Sequence, residues 1–136
     1  MMCGGTIIGK RTILTAAHCL DGSYGDFERI KIYVGAVDKS KSTETGQQIV
    51  IVEAGSYVIH EDWDLSKMSN DIALIKLPTD LEFNEYIQPA KLPEPNNLYA
   101  DKTTIVSGWG IPEEQQQQQH QQHQHQPTNG NSYKRQ

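Results

Sequence analysis

The strongest constraint on this chain is the rhythm of its apolar runs. From Thr6 to Ile111 they are only a few residues long, rich in β-branched side chains, and divided by turn residues. Thr6-Ile7-Ile8 gives way to Gly9-Lys10-Arg11 and then to Thr12-Ile13-Leu14-Thr15. Ile30, Ile32 and Val34 alternate with Lys31 and Tyr33, the period of a strand with one covered face. Gln48-Ile49-Val50-Ile51-Val52 and Tyr57-Val58-Ile59 are β-branched runs that read the same way. Asp71-Ile72-Ala73-Leu74-Ile75-Lys76-Leu77 is a more continuous apolar run closed by Pro78, and Thr103-Thr104-Ile105-Val106 is the last. With no amphipathic helix between them, the spacing predicts an all-β fold, an antiparallel barrel or sandwich.

At 136 residues the chain suits one domain. After Pro112 the composition changes. Gln115 to Gln126 is glutamine interrupted only by His120, His123 and His125, and a polar stretch follows to Gln136. Such a segment buries too little apolar area to offset its ordering entropy, so 115–136 is expected to be disordered and 1–114 to be the folded unit. Its three histidines read as incidental to the tract, because a flexible tail preorganises no metal site. Net charge is −5, and −7 before the tail adds Lys134 and Arg135. An acidic domain repels phosphate backbones, which excludes nucleic acid as a partner. No stretch approaches the roughly 20 apolar residues of a membrane helix. The opening Met1-Met2-Cys3-Gly4-Gly5 lacks the basic flank and the apolar core, about 7–15 residues long, of a signal peptide. That reading expects a true beginning that is missing.

Cys3 and Cys19 are the two cysteines. Such a pair can be a disulfide, two buried thiols or half of a metal site, although nothing near them supplies a second pair of zinc ligands. His18, beside Cys19, is as a lone residue most simply a half-buried structural histidine. Asp71, after Asn70, is most simply a turn-capping residue. His60, after Val58-Ile59, reads as a surface residue at a strand end. The loop from Asp38 to Glu44 carries two lysines and too few spaced acids for calcium.

Four stretches in order change the weight of those readings. They are Cys3-Gly4-Gly5-Thr6-Ile7-Ile8 with Ile13-Leu14-Thr15-Ala16-Ala17-His18-Cys19; Asn70-Asp71-Ile72-Ala73-Leu74-Ile75-Lys76-Leu77; Ile87-Gln88-Pro89-Ala90-Lys91-Leu92-Pro93; and Val106-Ser107-Gly108-Trp109-Gly110. Together they resemble the first half of the trypsin/chymotrypsin family of serine proteases, closest in phrasing to arthropod chymotrypsins and collagenolytic digestive relatives. The resemblance implies a six-stranded antiparallel Greek-key barrel of the trypsin-like fold, incomplete because its first strand and the second barrel are missing. It also implies a secreted protein, peptide or protein substrates, no cofactor and no metal. His18 would be the general base and Asp71 the carboxylate that holds its tautomer; Cys3 and Cys19 would form the disulfide around the histidine region.

The family's nucleophile sits in Gly-Asp-Ser-Gly-Gly, which does not occur here. The serines are Ser23, Ser40, Ser42, Ser56, Ser66, Ser69, Ser107 and Ser132, and none has that glycine-flanked turn. By resemblance the function is serine-type endopeptidase, with this chain expected to be inactive alone. The alternative is a non-catalytic protease homologue acting as a binding module. An unpaired barrel edge or the glutamine tract would favour self-association.

Overall fold

The computed structural model describes residues 2–38, 40–97 and 99–109. The glutamine tract and its histidines lie outside the described residues. Residues up to 105 form one compact unit, and 106–109 belong to a second.

The first unit is all-β, with a single 3-10 turn among the described residues. Its strands are β1 (Thr6–Gly9), β2 (Thr12–Thr15), β3 (Arg29–Val34), β4 (Gln48–Glu53), β5 (Tyr57–Ile59) and β6 (Ala73–Lys76). They form a four-stranded antiparallel sheet in the order β1-β2-β6-β5 and a two-stranded sheet β3-β4. The chain passes from β4 through Ala54, Gly55 and Ser56 into β5, so one path serves both sheets. Among the described residues no ladder joins the two sheets, and the expected barrel stays open.

The expected alternation holds where a strand has one wet face. Val50 and Val52 are buried while Ile49 and Ile51 face outward, and Ile30, Ile32 and Val34 turn towards the core opposite Lys31 and Tyr33. β6 lies between β2 and β5, with Ala73 and Ile75 buried on one face and Leu74 half-buried on the other. Leu77, Leu81 and Ile87 complete the core from a stretch without regular structure. Backbone and side-chain bonds hold that stretch. Leu77 and Leu81 donate to the carbonyls of Arg11 and Lys10, Ala90 donates to Ile7, and the Arg11 guanidinium donates to the carbonyls of Leu77 and Pro78.

One strand expectation is corrected. Residues 103–106 form no strand, and Ile105 and Val106 are 95% and 94% exposed. A β-branched run becomes a strand only when a neighbour accepts its backbone hydrogen bonds, and none of the described residues does so here.

Candidate active site

β2 ends at Thr15, and its direction is kept by the Thr15 hydroxyl, which donates to the Gly4 carbonyl at 2.8 Å. A 3-10 turn, Ala17–Cys19, follows, closed by the Cys19 and Leu20 amides on the carbonyls of Ala16 and Ala17. His18 therefore sits on a tight turn just past the strand. Small, fully buried Ala17 and buried Cys19 anchor that turn, and the imidazole between them is 31% exposed. Cys19 is joined to Cys3 by a disulfide, pinning the turn to the segment that enters β1.

Asp71 comes from the opposite direction. The Ile72 amide donates to the Asn70 carbonyl at 2.8 Å, which makes Asp71 the centre of a three-residue turn just before β6. Asn70 takes a positive φ of 57°, a conformation asparagine tolerates better than most residues. The loop leading in is braced internally. Asp64 and Ser69 exchange backbone bonds, the Asn70 amide side chain donates to the Asp62 carbonyl, and the Asp64 carboxylate accepts from Ser66 and Lys67.

These two turns bring His18 and Asp71 together. Asp71 Oδ1 accepts the His18 backbone N–H at 2.9 Å, and Oδ2 lies 2.7 Å from His18 Nδ1. The His18 amide, foremost, holds the Asp71 carboxyl below the usual carboxylate range; the imidazole adds to this, and partial burial opposes it. An ionised carboxylate is acceptor-only, so the short contact assigns the proton to Nδ1 and leaves the lone pair on Nε2. Nε2 lies 3.6 Å from Cys19 Sγ, a disulfide sulfur with no proton to give. The Tyr24 ring meets the imidazole edge-on, centroids 6.3 Å apart.

The structure brings into contact the two residues, His18 and Asp71, that the sequence singled out. The capping role open to Asp71 gives way to this contact: the carboxylate accepts from His18, far along the chain. Two neighbours were not anticipated, Tyr24 and the bond from the Trp63 indole N–H to Asp21 Oδ2 at 2.9 Å. Contacts between irregular loops have no periodicity, and no sequence signal marks them. His60 follows β5 as expected, its Nδ1 accepting from the Asp62 amide. The sulfurs of Cys3 and Cys19 and a His18 nitrogen lie within 4.8 Å of one another, but with both sulfurs in the disulfide the trio offers a metal one nitrogen. Among the described residues up to 105, no serine hydroxyl hydrogen-bonds His18.

Comparison with known proteins matches the whole chain, residues 1–136, to the trypsin family model. The chain is 37% identical over 112 residues to a chymotrypsin of Phaedon cochleariae, covering 80% of this chain and 38% of that protein. It is 33% identical over 109 residues to a trypsin of the same species, covering 79% and 40%. Venom serine protease 34 of Apis mellifera is 38% identical over 116 residues, covering 81% and 28%. The solved structure of GrC superposes with a TM-score of 0.60 at 31% identity, covering 71% of this chain and 39% of its own. The chain thus spans about two fifths or less of the length of each of these four proteins.

Proposed function

The chain belongs to the trypsin family, and from that premise we propose that His18 and Asp71 are the general base and orienting carboxylate of a serine-type endopeptidase. The observation that carries this reading is the Nδ1–Oδ2 contact of 2.7 Å, reinforced by the second bond from the His18 amide. With Nδ1–H held by Asp71, Nε2 takes the proton of a nucleophilic hydroxyl and returns it to the leaving amine; Asp71 stabilises the imidazolium between the two transfers. The nucleophile is not among these 136 residues, so the polypeptide by itself does not hydrolyse peptide bonds. The disulfide suits an oxidising, extracellular setting, and peptide or protein substrates follow from the family. The binding-module reading draws on the same lack of a Gly-Asp-Ser-Gly-Gly element and predicts capture of a partner without turnover.

A chimera tests the proposal. Residues 3–88 replace the matching segment of the Phaedon cochleariae chymotrypsin, so that the nucleophile has to come from the rest of that protein. The expected result is peptide hydrolysis, with His18→Ala lowering kcat by about 10⁶ and Asp71→Asn by about 10⁴, the magnitudes established for Ser-His-Asp hydrolases. A folded, active chimera indifferent to His18→Ala would remove the assignment.

A further inference from the structure

The β2–β6 ladder ends at the pair Thr15↔Ala73. His18 lies three residues beyond that end on one strand and Asp71 two residues before it on the other, so both stand outside the sheet that joins their elements. Strand ends fray, whereas a hydrogen bond of 2.7 Å tolerates little error in the separation of its partners. Something beyond the ladder has to hold the two turns at a fixed distance. The disulfide ties the His18 turn to the entry of β1 and leaves the Asp71 side untouched. The internal bonds of the loop before Asp71, Asp64 with Ser69 and Asn70 with Asp62, stiffen that loop without linking it to the His18 side.

Beyond the two His18–Asp71 bonds themselves, one further hydrogen bond between described residues ties the loop after His18 to the loop before Asp71. Asp21, two residues past Cys19, accepts the Trp63 indole N–H on Oδ2 at 2.9 Å, and its Oδ1 accepts the Ser23 amide at 2.8 Å. Both carboxylate oxygens are therefore fixed. The Trp63 ring packs against the core, so its N–H points in one direction, and Trp63 lies on the loop that delivers Asp71. We propose that Asp21 is a positioning residue: through Trp63 it clamps the loop leaving His18 to the loop entering Asp71 and so holds the His18–Asp71 bond in register. The inference rests on the reading of His18 and Asp71 as base and carboxylate. It concerns their preorganisation, which sets how much of the reaction's ordering cost is met before a substrate arrives.

The test is NMR of the oxidised full chain, observing the His18 Nδ1 proton, assigned by its loss in His18→Gln, and its exchange with water. Asp21→Ala and Trp63→Phe each remove one half of the clamp; Asp21→Asn keeps an acceptor oxygen in the same place. The expected result is exchange about tenfold faster in Asp21→Ala and Trp63→Phe, the effect of losing one hydrogen bond, with strand amide signals preserved and parental exchange in Asp21→Asn. A merely structural loss would move the strand amides as well. Unchanged exchange in Asp21→Ala, or Asp21→Asn behaving like Asp21→Ala, overturns the proposal. If Trp63→Phe fails to fold, the two Asp21 variants decide, since that residue is half-buried and outside the core. A parent chain with no protected His18 proton would overturn the base-and-carboxylate reading and this inference together; a protected proton that no variant disturbs overturns the clamp alone.

Discussion

The pairing of His18 with Asp71 rests on donors that face each carboxylate oxygen separately, one from the backbone and one from the ring. Asp71 is stabilised as an anion by the His18 amide first, Asp21 by Ser23 first, and Asp64 by the Lys67 ammonium first and Ser66 next, which together bring it from 3.8 to about 2. A carboxyl whose folded pKa is depressed binds fewer protons folded than unfolded between the two values, so its contribution to stability is complete above the unfolded pKa and lost as pH falls through the folded one. Urea midpoints measured between pH 5 and 2 are therefore expected to fall with pH; Asp64→Asn should flatten part of that slope, and a variant as steep as the parent would refute the assignment. His18 and Asp71 were legible because their flanking residues form a known pattern. Asp21 and Trp63 were not, since donor and acceptor stand 42 positions apart in sequence, on two irregular loops.

Strands with one wet face were the easiest elements to read. Alternation at 30–34 and 48–52 follows directly from the pleat, and the structure pairs those runs in register from Arg29↔Glu53 to Val34↔Gln48. The 3-10 turn that presents His18 has too few residues for any period to show. Residues 103–106 mislead for the opposite reason, because strand-like composition without a partner gives no strand. Two substitutions test the element packing. Ile75, 5% exposed in central β6, should cost about 2–5 kcal/mol on conversion to alanine. Gly35 has a φ of 71°, and a Cβ there would lie 2.8 Å from Ile87 Cγ1, so Gly35→Ala should cost about 1–3 kcal/mol through backbone strain and overpacking. Chemical denaturation reads both, and a loss under about 0.5 kcal/mol at either position would contradict this account of the core.

At the scale of the molecule, an open antiparallel barrel is held by one covalent tie and a small core. The Cys3–Cys19 link closes a loop of 16 residues in sequence separation, and reducing it should lower stability by roughly 3 kcal/mol in the chain-entropy view. We propose that residues 115–136 add nothing to that fold, so their deletion should leave the denaturation midpoint in place. The central claim is that an oriented base is present in this polypeptide and its nucleophile is not. Incubating the oxidised 136-residue chain with a peptide ester and a serine-directed phosphonate, and reading turnover and intact mass, tests it most directly. The account expects no hydrolysis and an unshifted mass; His18-dependent turnover with a single phosphonyl adduct on a serine would contradict it.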